Sequence, residues 1–325
     1  MIDERRLLHH LEHGPCTGQV LADALGLSRA AIWKRVQALR AAGLEISADR
    51  RCGYALAAPL DLLDADTIRS LLPRPVAAAL PELAVCWSLD STQAALLRRD
   101  AAAPLPAVLL AERQSAGRGR RGRVWVSPLA AHLYLSLAWR FDLPLARLAG
   151  LSLGIGMAVV DALRAQGIAG IGLKWPNDLL AEGRKLGGIV VDVSGEVGGP
   201  VTAVIGIGIN VRMPDAAAST IDQPWCDLMR LSDDKPPPRN VLAAAVIAQV
   251  LPALSRFADQ GLPDIIARWP GYDALAGQAV RVDDARSVFD AEVLGLANDG
   301  GLRVRTTQGD RVLYSGEVSV RGAGR

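Results

Sequence analysis

The stretch Gly117-Arg118-Gly119-Arg120-Arg121-Gly122-Arg123 decides between classes of fold for this chain. Its glycines follow the spacing G-x-G-x-x-G, which in dinucleotide-binding proteins opens a helix of a doubly wound parallel sheet. Here arginines stand between the glycines, and Val124-Trp125-Val126-Ser127-Pro128 follows where that helix would begin. The spacing also fits the glycine-rich loop of a protein kinase, but the chain contains neither H-R-D nor D-F-G. The sequence therefore argues against both folds.

The segments on either side of this stretch predict a mixed sheet instead. Val108–Glu112 and Leu133–Trp139 are short apolar runs that are typical of strands, and Leu148–Leu163 has the pattern of a helix. Further strands are expected at Gly172–Trp175, Gly188–Asp192 and Val201–Ile209. Because strands and helices do not alternate in a regular βαβ rhythm, we expect an α+β fold with helices layered on a central mixed sheet.

The charge of the opening stretch predicts an anionic ligand. It places four arginines among three glycines, and no acidic residue lies between Gln114 and Trp139. Glycine lets a loop fold closely against a ligand, and the planar guanidinium group pairs with carboxylate and phosphate oxygens. A solvated basic loop, or a second contact with nucleic acid, is the alternative interpretation.

Two downstream clusters fit the same anion. Lys174-Trp175-Pro176-Asn177-Asp178 ends a predicted strand, and Arg184-Lys185-Leu186-Gly187-Gly188 leads into the next one. With the arginine stretch they supply donors for a polyphosphate, and the carboxylate of Asp178 is a candidate ligand for Mg²⁺. Each residue alone would be an ordinary turn or surface residue. Gly206-Ile207-Gly208-Ile209-Asn210 either floors a ligand pocket or marks a tight crossing within the sheet.

The N-terminal segment predicts a helix-turn-helix. Apolar spacing indicates helices at Arg5–His13 and Gly18–Leu25, with Thr17 as the N-cap of the second. Ser28 is a natural N-cap for a third helix that runs to about Ala42. A basic helix after a short glycine turn is the helix that enters the DNA groove in this motif.

A wing follows this third helix. Leu44–Ser47 and Tyr54–Ala57 flank a turn with two adjacent arginines and predict a hairpin. The hairpin favours DNA binding over the alternative, a three-helix bundle whose basic face is only solvated. The candidate DNA contacts are Ser28, Arg29, Trp33, Lys34, Gln37, Arg50 and Arg51.

The C-terminal segment predicts a small β domain. Short runs rich in β-branched residues are separated by turn signals such as Asn298-Asp299-Gly300-Gly301. The expected strands are Ala279–Val282, Phe289–Gly295, Leu302–Thr306, Arg311–Tyr314 and Glu317–Arg321. Five such strands suggest an SH3-like β-barrel.

Composition limits the class of protein. A chain of 325 residues is expected to form two or three domains. Its net charge of +2 gives no global signature of nucleic-acid binding. The four cysteines form neither a CxxC pair nor a metal cluster, which fits a reducing compartment. The N-terminus does not read as a signal peptide, and apolar runs such as Leu148–Val160 are shorter than a membrane span. We therefore expect a cytoplasmic protein.

Taken together, the motifs resemble those of biotin protein ligases. Besides the three clusters above and Gly206–Asn210, the chain contains Asp90-Ser91-Thr92 and Gln114 in the order that this family shows. With its N-terminal helix-turn-helix, the chain is similar to the bacterial biotin ligases that also repress the biotin operon. The resemblance implies a winged helix-turn-helix over 1–62, a biotin/lipoate ligase-type catalytic domain over 63–270 and an SH3-like domain over 271–325.

The resemblance implies a reaction in two steps. Biotin and Mg·ATP form biotinyl-5′-adenylate, and a lysine of the biotin carboxyl carrier protein then takes the biotinyl group. It implies three catalytic residues, Lys185, Arg118 and Arg120. It implies a biotin site made of Ser91, Thr92, Gln93, Gln114, Arg118, Gly119, Arg120 and Lys185. It implies an ATP and adenylate site made of Lys174, Asn177, Asp178, Asn210 and Trp225, with Mg²⁺ on Asp178.

One position departs from the family pattern, and several roles stay open. The family usually has asparagine after Ser-Thr, where this chain has Gln93. The resemblance also implies operator DNA as a partner and a homodimer promoted by the adenylate. Glu317 or Arg321 either contacts ATP or the carrier protein, or belongs to a purely structural lid. A ligand-sensing repressor with an inactive ligase domain and a lipoate ligase are the competing functions.

Overall fold

The computed structural model describes residues 2–100, 102–196, 198–283, 287–314 and 319–322. Its strands form a two-stranded, a seven-stranded and a five-stranded sheet. The α-helices are α1 (Ile2–Glu12), α2 (Gly18–Leu25), α3 (Arg29–Ala41), α4 (Ala65–Leu71), α5 (Arg74–Ala78), α6 (Thr92–Leu97), α7 (Leu151–Ala165), α8 (Asp215–Ala218), α9 (Leu228–Leu231) and α10 (Arg239–Arg268).

The N-terminal unit is the predicted winged helix-turn-helix. Helices α1 to α3 precede a hairpin of β1 (Ile46–Asp49) and β2 (Gly53–Leu56). The side chains of Thr17 and Ser28 accept hydrogen bonds from the backbone at the start of α2 and α3, which stabilises both helix ends. Gly26 ends α2 in the left-handed conformation at φ 66°, which glycine adopts without steric cost.

The central sheet is mixed, as the sequence predicts. Its strands are β3 (Glu82–Cys86), β4 (Ala107–Ala111), β5 (Leu133–Phe141), β6 (Ile171–Lys174), β7 (Asp178–Ala181), β8 (Arg184–Gly195) and β9 (Val201–Ile209). They lie in the order β3-β4-β5-β9-β8-β7-β6. The pair β3–β4 is parallel and the other pairs are antiparallel.

Two differences from the predicted strands matter for the site. Strand β7 was not expected, and β8 begins at Arg184 rather than at Gly188. The turn between them contains Glu182 at φ 51° and Gly183 at φ 71°, so a tight hairpin reverses the chain. As a consequence, the two motifs that carry Asp178 and Lys185 face each other across neighbouring strands.

Helices α7 and α10 cover the sheet and form the main core with it. The segments Leu145–Ala165 and Arg239–Gly271 are long and apolar enough to cross a membrane, by length and composition alone. The apolar side chains of both helices are largely buried against the sheet, as in the core helices of globular proteins. A buried ion pair also ties α10 to the sheet, because Arg239 donates to Glu112 at 2.8 Å.

The C-terminal unit is a five-stranded antiparallel sheet. Its strands are β10 (Ala279–Asp283), β11 (Val288–Leu296), β12 (Leu302–Thr306), β13 (Gly309–Leu313) and β14 (Ser319–Gly322). The order is β13-β12-β11-β10-β14, and no pairing joins β13 to β14 within the described ranges. Glu317 lies outside the described residues, while the backbone of Arg321 pairs with Arg281.

The N-terminal unit packs directly on the central one. Leu129, which follows the arginine stretch, is buried in the core of the N-terminal unit, and its backbone N–H donates to the carbonyl of Ala42 at 2.7 Å. The indole N–H of Trp87 donates to the carboxylate of Glu4 at 3.0 Å. The chain therefore runs from the arginine stretch straight into the contact with the helix-turn-helix.

Candidate active site

A cavity of about 1140 Å³ lies on the central sheet and is lined by residues of its five neighbouring strands β5, β9, β8, β7 and β6. Most of the residues predicted for the site line it: Ser91, Thr92, Gln93, Gln114, Arg118, Gly119, Arg120, Lys174, Asn177, Asp178 and Lys185. Leu275, Gln278 and Ala279 close one side, so the start of the C-terminal unit contributes to the wall. The fold thus brings together motifs that lie up to about a hundred residues apart in the chain.

A carboxylate with two lysines forms the charged floor of the cavity. Lys185 Nζ lies 2.8 Å from Asp178 Oδ1, and Lys174 Nζ lies 3.2 Å from Asp178 Oδ2. All three side chains are at most 23% exposed. Burial raises the pKa of Asp178, but the two ammonium groups outweigh it and hold the pKa below its ordinary value. The two lysines and one aspartate together carry a formal net charge of +1, and the lowered pKa keeps Asp178 ionised at neutral pH.

The arginine stretch forms a short loop above this floor. The backbone N–H of Gly119 donates to the carbonyl of Arg123 at 2.7 Å, and a second such bond from Trp125 to Gly117 closes the base of the loop. Arg120 Nη1 donates to the side-chain oxygen of Asn177 at 2.8 Å. Partial burial, together with the neighbouring arginines, lowers the pKa of Arg120, so this guanidinium group favours an anionic partner.

A network of hydroxyl and amide side chains lines another part of the cavity. The side-chain oxygen of Gln114 accepts from the backbone N–H of Thr92 at 2.8 Å and lies 3.1 Å from its hydroxyl. The hydroxyls of Thr92 and Ser136 are 2.7 Å apart. Ser91 caps α6, and its hydroxyl accepts from Ala94 at 3.4 Å. These side chains are fixed by one another, so they present a rigid pattern of donors and acceptors.

Glycines on β9 let side chains of the cavity pack directly against this strand. The indole of Trp125 lies against Gly208, where an added Cβ would be 2.7 Å from the ring. The ammonium group of Lys185 is 5.7 Å from the centre of the same ring. Trp125 Nε1 is buried without a hydrogen bond to any described residue. The sequence prediction did not include Trp125 in the site, although an aromatic residue directly after the arginine stretch was a usable signal.

Two predicted site residues do not line the cavity. Asn210 is buried, and its amide donates to the backbone carbonyl of Cys226 at 3.0 Å, which holds the segment after β9 in place. Trp225 stacks on Arg230, whose guanidinium carbon is 4.2 Å from the ring centre. Its backbone is bridged to Lys185, and the residues just before it, 220–224, line the cavity.

The candidate DNA surface lies on the N-terminal unit. Arg29 and Lys34 are exposed on α3, and Trp33 has 55% of its surface exposed. Gln37 is half-buried on the same helix, and Ser28 is the N-cap. Arg50 and Arg51 are exposed at the tip of the hairpin. The predicted contacts therefore share one unit, and most of them are open to solvent.

A metal site made by the protein alone does not fit this cavity. Among the residues that the structure describes, no group of three His, Cys, Asp or Glu side chains is arranged to hold a metal ion. Both carboxylate oxygens of Asp178 already accept from lysines. An oxygen-seeking ion such as Mg²⁺ would therefore meet ammonium groups where it needs oxygen ligands.

Two family models match the chain. Residues 86–210 match the biotin/lipoate A/B protein ligase family, and residues 4–55 match a helix-turn-helix domain. The bifunctional ligase/repressor BirA of Salmonella typhimurium is 37% identical over 311 residues, which are 94% of this chain and 93% of that protein. BirA of Bacillus subtilis is 31% identical over 310 residues, which are 94% and 93% of the two chains.

A solved structure shares the fold over three quarters of this chain. The biotin protein ligase of Aquifex aeolicus, in complex with biotin and ATP, superposes with a TM-score of 0.64. Its sequence is 26% identical, and the match covers 75% of this chain and 100% of that chain.

Proposed function

This chain belongs to the bifunctional ligase/repressor family of BirA, and we propose how its own residues perform the two functions. It is an ATP-dependent biotin protein ligase with a DNA-binding repressor domain. The observation that carries the assignment of roles is the set of cations that converges on one cavity, from the loop above and from the floor below.

The first step joins two anions. A carboxylate oxygen of biotin attacks the α-phosphorus of ATP, and the bond to pyrophosphate breaks. We assign Lys185 to the reacting centre, because its ammonium group is buried, already oriented by Asp178, and adjacent to the ring of Trp125. There it offsets the repulsion between the carboxylate and the phosphate and stabilises the charge of the transition state. Lys174 and Asn177 are assigned to the neighbouring phosphates.

The second step transfers the biotinyl group. The neutral amine of a carrier lysine attacks the acyl carbon of the adenylate, the bond to AMP breaks, and the amide nitrogen loses its extra proton. Until the carrier protein arrives, the mixed anhydride must be shielded from water. We assign this shielding to the loop of residues 117–123, with Arg118, Gly119 and Arg120 facing the cavity.

The part of the cavity lined by hydroxyl and amide side chains is proposed to hold the biotin ring. Ser91, Thr92, Gln93 and Gln114 lie there and supply amide and hydroxyl groups for a ureido ring. Asn210 and Trp225 are proposed to act indirectly, by fixing the segment 220–224 that lines the cavity. Magnesium is proposed to enter the cavity as Mg·ATP, held by the phosphate oxygens of the nucleotide.

The remaining proposals concern partners and boundaries. We propose that 1–62 binds operator DNA, that 63–270 carries catalysis, and that 271–325 completes the cavity wall. The acceptor is the biotin carboxyl carrier protein, the working compartment is the cytoplasm, and the adenylate promotes a homodimer that binds a two-fold symmetric operator.

One experiment tests the ligase assignment against its rivals. The protein is incubated with labelled biotin, ATP, Mg²⁺ and a carrier domain, and label on the carrier is measured. Transfer of biotin is expected, and lipoate offered in its place is expected to remain untransferred. Absence of label transfer would leave the chain as a ligand-sensing repressor with an inactive ligase domain.

A second experiment tests repression. Binding to the promoter of the biotin-synthesis genes of the same organism is measured with and without biotin and ATP. Tighter binding with both ligands is expected, because the adenylate must favour the DNA-binding form. Binding that ignores both ligands would remove the proposed regulation.

A further inference from the structure

We propose that Asp192 is a positioning residue, which orients the amide of Gln93 so that its oxygen accepts an N–H group of the ligand ring. The inference rests on the proposed biotin ligase function and adds to it a determinant of ring specificity. None of the sequence motifs that predict the site includes Asp192, which lies on β8, seven residues after Lys185.

The first observation is the set of hydrogen bonds that Gln93 makes. Its side chain is buried in the first turn of α6, with 6% of the residue exposed. Gln93 Nε2 donates to the carboxylate of Asp192 at 2.8 Å. Two backbone carbonyls, those of Val190 and Val204, lie 3.5 and 3.4 Å from the same nitrogen. All of these partners are acceptors.

This set of partners fixes which end of the amide faces the ligand. The oxygen and nitrogen of a glutamine amide have nearly the same shape, and only their hydrogen bonds decide the orientation. A carboxylate accepts and does not donate, so a flipped Gln93 would place its oxygen against that of Asp192. Asp192, although an exposed residue, makes the shortest of the three contacts and carries the only charge among them, so it adds to the two backbone carbonyls in favouring this orientation. Its effect reaches the ligand through Gln93.

The second observation is the position of the oxygen. Gln93 Oε1 lies over Gly206 on β9, where an added Cβ would be too close for any residue other than glycine. None of the hydrogen bonds of Gln93 to described residues uses this oxygen. Gln93 and Gly206 both line the cavity. This oxygen is not among the fully buried side-chain atoms that lack a partner, so it keeps accessible surface, and a ligand N–H group in the cavity can reach it.

The chemistry of the ring follows from this acceptor. A ureido ring carries two N–H donors, whereas a dithiolane ring of the lipoate class carries none. A site that hydrogen-bonds a ring N–H rejects an analogue lacking it far more strongly than an apolar pocket would. The acceptor therefore favours biotin over a lipoate-type acid at the same cavity.

The test is a double-mutant cycle in the full-length protein. Gln93→Met removes the amide at similar volume, and Asp192→Ala removes the carboxylate that orients it. The KM for biotin and the kcat of adenylate formation are measured for both single variants and for the double variant. We expect each single variant to raise the biotin KM by roughly tenfold with the KM for ATP unchanged. We expect Asp192→Ala to add nothing in the Gln93→Met background.

Two further variants keep the result interpretable. Asp192→Asn can still accept through its amide oxygen, so it is expected to restore part of the biotin affinity. Asp142→Ala removes a surface carboxylate whose side chain is 90% exposed and is the matched control, with no expected change. Biotin methylated at a ureido nitrogen gives a second readout: it should bind more weakly than biotin to the unaltered chain, and Gln93→Met should lose that discrimination.

The outcomes separate this inference from the function on which it rests. If the unaltered protein forms no adenylate, the proposed function fails. If it is active but Asp192→Ala leaves the biotin KM unchanged, or raises it equally in the Gln93→Met background, the positioning role is overturned. Equal binding of biotin and its N-methyl derivative to the unaltered chain would overturn the acceptor role of Gln93.

Discussion

The floor and the loop of the cavity are both cationic, but the protein holds their charges in different ways. On the floor, Lys174 and Lys185 share one buried carboxylate, so their positions are set before a ligand arrives. In the loop, Arg118 is exposed, and Arg120 donates to a neutral group next to the floor, the side-chain oxygen of Asn177. Charges that are fixed before the ligand binds lower the reaction barrier, whereas charges on a loop that can move serve to enclose the product of that reaction. The comparison therefore predicts that the floor residues catalyse adenylate formation and that the loop residues retain the adenylate.

The largest effect is expected at the floor, from Lys185→Ala. The variant loses the ammonium group at the reacting centre, and because Asp178 keeps only Lys174 as a partner, the net charge of the cluster falls from +1 to zero where two anionic substrates meet. Adenylate formation, followed as pyrophosphate release from biotin and ATP, should fall by about a hundredfold or more in kcat/KM.

Lys185→Arg separates charge from geometry. It keeps the charge, but its planar group does not reproduce the contact with Asp178, so an intermediate rate is expected. A rate for Lys185→Ala within a few-fold of the unaltered protein would place the chemistry elsewhere and would break the distinction between floor and loop.

The next effect is expected in the loop, from Arg120→Gly. This variant should form the adenylate but release it into solvent early, with roughly a tenfold or greater faster loss of bound adenylate. Retention is measured by trapping the labelled intermediate over time. Arg74→Gly, at an exposed arginine that does not line the cavity, is the matched control and should retain the adenylate nearly as well as the unaltered chain. If Arg120→Gly retains the adenylate normally, or stops its formation, the loop does not have the role of a shield.

The sequence predicted most of the local structure that short-range chemistry controls. Thr17 and Ser28 cap helices where expected, because a side-chain oxygen and a backbone N–H three residues apart suffice. Strand β9 has the predicted bounds, since its alternating glycines and β-branched residues are continuous. The hairpin of β7 and β8 was missed, because four residues give little periodicity and its turn depends on Glu182 in a left-handed conformation.

The site was predicted as a set of residue types but not as a set of contacts. The order of the motifs predicted that Lys174, Asp178 and Lys185 share one site. The sequence does not show that the carboxylate of Asp178 pairs with both lysines. Asn210 has the residue type of a ligand contact, but the packing after β9 turns its amide toward backbone. Long-range pairs such as Arg120 with Asn177 depend on the register of the whole sheet, which no local pattern determines.

A smaller effect, on the free energy of unfolding, tests whether the charges of the floor are already paired in the protein without ligand. Because the folded pKa of Asp178 is lowered, its ionised form stabilises the protein above its ordinary pKa, and this stability is lost as the pH falls through the folded value. Lys174→Met removes one of the two causes of that shift. The free energy of unfolding should fall by about 1 kcal/mol at pH 7, with the difference shrinking as the solution is acidified.

Urea unfolding at pH 7 and at acid pH measures this difference. An equal loss at both values would mean that Lys174 stabilises by packing of its alkyl chain and not through the charge of Asp178. The matched control is Lys235→Met, at an exposed lysine in the segment before α10 whose ammonium group pairs with no carboxylate among the described residues.

The smallest effect on the cavity is expected from the cations outside it. Lys34 on α3 is exposed like Arg118, but it belongs to the N-terminal unit, so Lys34→Ala should leave adenylate formation and retention unchanged. It should instead weaken operator binding, and the dependence of log K on log salt should become shallower by about one per site contacted. Measuring adenylate retention and operator binding in the same variant shows whether the effect of a basic residue depends on the unit in which it lies or only on its positive charge. A drop in adenylate retention would mean that the contact of Leu129 with Ala42 transmits changes in the helix-turn-helix to the loop, and the loop would no longer be a shield that acts by itself.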